Sequence, residues 1–184
     1  MRRINAILGA GIIILLLIHV VTGIFQLSGI MAGGSAVKTV LSFLLLAAVG
    51  AHAVIGIKLT FDTVKACRKS GKPYFKNNER FWLARISGFA ILILVVFHIM
   101  IFKGKTGEAF RLNGFFGIQL AAHIMLVLSL IIHLVSNIKP LFIAFGIADR
   151  KYIKDILIVL SLVMLAAAAA FVVYYLRWNT LWMY

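Results

Sequence analysis

Along the chain, five long apolar stretches alternate with short polar ones. The apolar stretches run at about residues 4–28, 38–62, 82–103, 115–138 and 152–176, each reaching the roughly 20 helical residues that cross the hydrocarbon core of a bilayer. Backbone groups in lipid must hydrogen-bond within their own segment, so each stretch predicts a membrane-spanning α-helix. Gly, Ser, Asn and Lys between the runs mark connections at Gly29–Val37, Thr63–Phe81, Lys103–Gly114 and Lys139–Lys151. The expected fold is an all-α integral membrane protein, one unit over residues 1–184 with five transmembrane helices, the first four forming a bundle. The opening Met-Arg-Arg and apolar run resemble a signal peptide, but no small-residue cleavage site follows and further spans do, so this segment reads as the first helix.

Composition excludes an ordinary water-soluble domain: 63% of the 184 residues are hydrophobic, 13% are charged and mean hydropathy is +1.06. Charge is lopsided, with 19 Lys and Arg against 5 Asp and Glu. Such an excess often signals nucleic acid, but its placement says otherwise. Fourteen of the 19 basic residues, from Arg2 and Arg3 through the Lys65–Arg80 stretch to Lys154, fall on one side of the predicted spans. Lys38, Lys103, Lys105, Arg111 and Arg177 fall on the other. The positive-inside rule puts the N-terminus in the cytoplasm and the C-terminus outside, with Trp178, Trp182 and Tyr184 as an interfacial anchor. The partner of this charge is then the bilayer, with no nucleic acid expected. The single Cys67 excludes a disulfide framework, and any thiolate-held cluster built from this chain alone.

All five histidines, His19, His52, His98, His123 and His133, lie inside predicted spans, where ionisable residues are costly and usually mark function. The spans also repeat. Gly9–His19 (GAGIIILLLIH) matches Gly88–His98 (GFAILILVVFH), and Ala51–Lys58 (AHAVIGIK) matches Ile132–Lys139 (IHLVSNIK). The offsets are 98 − 19 = 79 and 133 − 52 = 81, so helices one and two reappear as helices three and four.

Depth follows from the rise of ~1.5 Å per residue. Lys58 and Lys139 mark one boundary, six residues or ~9 Å from His52 and His133. Lys103 marks the other, five residues or ~8 Å from His98, with His19 at a similar level. Two histidine pairs thus stack across the membrane. With no Cys or carboxylate beside them, each pair offers two neutral nitrogens. Zinc would want three or four protein ligands in a polar surround, whereas a low-spin haem takes two axial histidines in an apolar slot. Gly50, Gly56 and Gly88 remove side chains where a flat macrocycle could lie, or serve close helix contact. Arg85 is placed for a haem propionate or for positive-inside anchoring. His123 lies near the level of His19 and His98 but ~80° off the His133 face. Three roles stay open for it: a hydrogen-bonding residue near the outer cofactor or a quinone pocket, a packing residue, or a ligand replacing His19 or His98.

The chain resembles the five-helix, two-haem cytochrome b subunit that anchors succinate dehydrogenases and fumarate reductases. The resemblance is carried, in order, by RRINAILG leading to His19, HAVIGIKLTF from His52, YFKNNERFWLARISGFAILILVVFH ending at His98, and IIHLVSNIKPLFIAFGI around His133. Its most specific block holds Arg85, Ser87 and Gly88 before His98. The resemblance implies two haem b groups, His19 pairing with His98 (distal) and His52 with His133 (proximal). It also implies an Fe–S subunit and a flavoprotein docked on the cytoplasmic face, the Lys65–Arg80 stretch being a docking surface, in a bacterial inner membrane. The quinone, menaquinone in expectation, would react at this subunit, which has no succinate site of its own. Two departures stand out. Ile131 occupies a position that is glutamate in some members, and Gln26–Lys38 contains no acid. Glu108 is the single carboxylate expected near the distal side. Competing readings are a cytochrome b subunit of another membrane dehydrogenase, such as a hydrogenase or formate dehydrogenase, and a small transporter with histidines lining its path.

Overall fold

A computed structural model describes residues 1–33, 35–71, 78–102, 114–147 and 149–181. It contains five helices: α1 (Arg2–Leu27), α2 (Ala36–Ser70), α3 (Glu79–Phe102), α4 (Gly117–Ala144) and α5 (Arg150–Leu181). All five are long and apolar enough to cross a membrane, and no strand occurs among the described residues. The chain is an all-α, multi-pass membrane protein.

Three helices clearly outrun their apolar stretches, α5 by five residues at its C-terminal end. α2 has 35 residues and continues to Ser70, while α4 passes through Pro140 to Ala144. At ~1.5 Å per residue α2 is about 50 Å long, well beyond a hydrocarbon core of ~30 Å. Hydropathy falls where lipid ends, but the hydrogen-bond ladder continues until something caps it. α2 therefore carries Lys65, Arg68 and Lys69 past the apolar boundary, the last two in its final turn, where cations face the negative end of the helix dipole. α1 and α4 close with the same device. Gly29 (φ +77°) and Gly146 (φ +79°) take the left-handed conformation. Ile30 N–H then reaches the Phe25 carbonyl at 2.9 Å, and Ile147 N–H the Phe142 carbonyl at 2.9 Å, as in a Schellman cap. Arg177 of α5 lies directly against Gly29 and donates from Nη1 to the Leu27 carbonyl at 2.9 Å, so α5 caps the end of α1.

Closest backbone packing joins α3 to α4, α4 to α5, α1 to α2 and α1 to α5. The core lies between α4 and α5. Its upper part gathers Phe115, Val127, Met164, Ala167, Phe171 and Tyr174, flanked by Leu16, Val20 and Ile24 of α1; its lower part gathers Ile138, Ile153 and Leu160. Lipid is as apolar as Leu, so helix association here depends on close contact more than on leaving water. The alanine-rich middle of α5 provides it: Ala167 and Ala170 are buried, and Met164 is 1% exposed. α2 is peripheral. Leu45 is its one buried residue, and Phe43, Val54 and Phe61 lie open on its surface.

Candidate functional site

Two helical hairpins, α1/α2 and α3/α4, carry the five histidines. Neither α1 with α3 nor α2 with α4 is among the closely packed helix pairs, yet imidazoles reach across between them. His19 of α1 faces His98 of α3 with ring centres 5.9 Å apart and planes at 71°. His52 of α2 faces His133 of α4 with ring centres 6.4 Å apart and planes at 82°. One metal held between two imidazoles would place the ring centres about 6 Å apart, from metal–nitrogen bonds of about 2.0 Å and about 1.1 Å from nitrogen to ring centre on each side.

The levels of the two pairs can be measured along the helices. The His19 Nδ1 lies 3.2 Å from the Ser42 hydroxyl, and Ser42 is ten residues from His52 on α2. Ten residues is ~15 Å of helix. On α4, His123 lies ten residues from His133, and its ring centre is 5.3 Å from that of His98. The His52/His133 pair lies nearer the basic end and is the proximal pair; the His19/His98 pair is the distal one.

Hydrogen bonds fix which nitrogen is available. Nδ1 of His133 lies 3.1 Å from the Ala84 carbonyl and 3.2 Å from the Ser87 hydroxyl. A carbonyl only accepts, so Nδ1 carries the proton and Nε2 keeps its lone pair, the arrangement that orients a ligating imidazole. Ser87 is itself held by donating to the Leu83 carbonyl at 2.6 Å. The Nδ1 atoms of His52 and His98 are buried without a hydrogen-bond partner among the described residues.

Glycine allows the approach. A Cβ on Gly88 would stand 3.2 Å from His133 Cε1, and one on Gly9 would stand 3.8 Å from His52 Cε1. Gly88 thus lies against the proximal imidazole, and its lack of a side chain makes room for that ring. Cβ atoms on Gly50 and Gly56 would meet nothing within 4 Å, so open space adjoins the backbone on either side of His52. Arg85 donates from Nε to Thr60 Oγ1 at 2.6 Å, joining α3 to α2, and its guanidinium lies 4.5 Å above the Phe81 ring. His123 is 1% exposed and its ring meets Phe102, Phe115 and Phe171, the last at 4.6 Å between centres. Among the described residues no three or more His, Cys, Asp or Glu side chains converge as ligands for one metal ion; the donor sets are imidazole pairs.

Ser42, Thr60, Gly9 and the Ala84 carbonyl are contacts that the reading of the sequence missed. The repeat contained a signal for the first: Ser42 and His123 are separated by 123 − 42 = 81, the offset between His52 and His133. A backbone carbonyl leaves no such trace. Glu108, Trp182, Tyr184 and positions 72–77 of the basic stretch lie outside the described residues. No family profile, curated protein or solved structure matches the chain.

Proposed function

We propose that this chain is a dihaem cytochrome b that anchors a succinate dehydrogenase or fumarate reductase in the bacterial inner membrane. The observation that carries the reading is the pair of opposed imidazoles at each of two levels, 5.9 Å and 6.4 Å between ring centres, carried by helices, α1 with α3 and α2 with α4, that are not among the closely packed pairs. His19 and His98 would hold the distal haem, and His52 and His133 the proximal one. When bound, each haem supplies a one-electron carrier whose potential depends on its axial ligands and on burial.

The chain's own part is to position and insulate. The Ala84 carbonyl and the Ser87 hydroxyl hold His133 from α3, Ser42 holds His19 from α2, and Phe102 and Phe171 pack against His98 at the distal level. Arg85, tied to Thr60 near the proximal pair, would offer a cation to a haem propionate. The basic end faces the cytoplasm in this reading, where Lys and Arg would steer an Fe–S subunit and a flavoprotein into place. Electrons pass between those subunits and membrane quinone, menaquinone in this proposal. The succinate-specific part of the reading rests on the sequence words around His19, His52, His98 and His133.

Purified protein is expected to carry two low-spin, bis-histidine haems per chain. His52→Ala and His133→Ala should each remove the same haem, and His19→Ala and His98→Ala the other. One haem per chain in the wild type, or both haems lost with any single replacement, refutes the pairing. Co-purification with a nickel or molybdenum enzyme instead of a flavoprotein and an Fe–S protein would refute the succinate assignment alone.

A further inference from the structure

His123 has a structural counterpart that defines its part at the distal level. Ser42 and His123 each lie ten residues from the proximal histidine of their own helix, and each stands beside the distal histidine of its own hairpin: Ser42 hydrogen-bonded to His19, His123 against His98. In the first hairpin a hydroxyl serves the ligand's Nδ1. In the second, an imidazole stands in the same place.

Two buried nitrogens at this level, Nδ1 of His98 and Nε2 of His123, lack hydrogen-bond partners among the described residues, and buried polar atoms are rarely left so. His123 Nδ1 lies 2.6 Å from the Gln119 carbonyl, which can only accept. Nδ1 therefore carries the proton, and Nε2 of the neutral ring is an acceptor. A His98 that offers Nε2 to a metal carries its own proton on Nδ1, a donor. The spacing fits donor and acceptor: a hydrogen bond of about 2.9 Å between imidazole nitrogens sets the ring centres about 5 Å apart, against 5.3 Å here. A metal between the same rings would need about 6 Å. The planes stand at 59°, and the broad terminal torsions of both side chains allow the nitrogens to come into line.

We propose that His123 is a positioning residue for the distal ligand, accepting at Nε2 the Nδ1 proton of His98. This rests on the dihaem reading above. Such a bond fixes the ring and raises its basicity, which favours the oxidised metal. Its counterpart in the first hairpin is the weaker Ser42 hydroxyl.

The test is a redox titration of the purified wild-type, His123→Phe and His123→Gln proteins, with low-spin electron paramagnetic resonance spectra of each haem. Phe fills the space without an acceptor, and Gln restores an acceptor oxygen. His123→Phe is expected to keep both haems and weaken the distal haem's preference for the oxidised state about tenfold, a rise of 59 mV in its midpoint. The proximal haem should stay unchanged, and His123→Gln should recover most of the shift. Ser42→Ala should move the same haem in the same direction by less. Loss of the distal haem in His123→Phe and His123→Gln alike would make His123 a ligand, and an unmoved distal potential would leave it a packing residue; either overturns the inference. If His123→Phe does not fold, His123→Leu, which also lacks an acceptor, takes its place, and an unmoved distal potential in that variant overturns the inference as well. A wild-type protein without haem would instead overturn the functional reading beneath it.

Discussion

Gly88 and Gly9 occupy matching places in the two hairpins, yet replacing each by alanine should have opposite effects. At Gly88 the new Cβ would lie 3.2 Å from His133 Cε1 and 3.4 Å from Nδ1, so the ring must retreat by a few tenths of an ångström. The ring is tied to the helix that carries Gly88. Its Nδ1 is 3.1 Å from the Ala84 carbonyl, and a retreat of ~0.3 Å stretches that bond to the edge of hydrogen-bonding range. A bond of this kind is worth about 1 kcal/mol, close to the ~1 kcal/mol that Ala gains over Gly inside a helix. Fold stability should therefore barely change. The imidazole, however, loses the contact that orients it, which typically costs 10–100-fold in affinity at a metal site. At Gly9 the new Cβ would sit 3.8 Å from His52 Cε1, an ordinary contact, so only the helix gain remains. We expect Gly88→Ala to lower proximal haem occupancy or alter its low-spin spectrum at nearly wild-type melting temperature. Gly9→Ala should leave both haems intact and melt slightly higher. Haem-to-protein ratio, low-temperature resonance spectra and thermal unfolding in detergent measure all three. A Gly88→Ala protein with a wild-type proximal spectrum, or equal effects in the two variants, would refute the reasoning.

Two further outcomes follow from the packing and from the charge asymmetry. Ala167 is buried in the α4–α5 core at 7% exposure, so Ala167→Leu should destabilise the bundle by about 1–3 kcal/mol through overpacking, read as a lower melting temperature in detergent. Cys67, half-buried near the end of α2, should react with a membrane-impermeant maleimide in inside-out vesicles and not in intact cells; labelling in intact cells would reverse the proposed orientation.

Much of the fold was legible along the chain because lipid imposes its conditions one segment at a time. Each span must be apolar over about 20 residues and satisfy its own backbone, so the five helices and the crowding of basic residues on one side show in the sequence alone. Where the helices end was less legible. α2 continues to Ser70 because water does not stop a helix and hydropathy registers only the edge of the lipid.

The histidine levels also come from the linear chain, since depth is residue count multiplied by a fixed rise. The repeat of Gly9–His19 in Gly88–His98 was equally visible. Which rings meet is another kind of question, decided by how each helix is rotated about its axis. Apolar residues face lipid and neighbouring helices alike in a membrane, so the pattern of hydrophobic positions carries little record of rotation. Matched depth and the resemblance paired His19 with His98 and His52 with His133 in expectation; the packed structure is what sets those rings face to face, turns Gly88 towards the His133 ring, and brings the Ala84 carbonyl to its Nδ1. It also places Ser42 beside His19 and His123 beside His98. Length and polarity determine the spans; side-chain contacts between helices, invisible to either, decide the site.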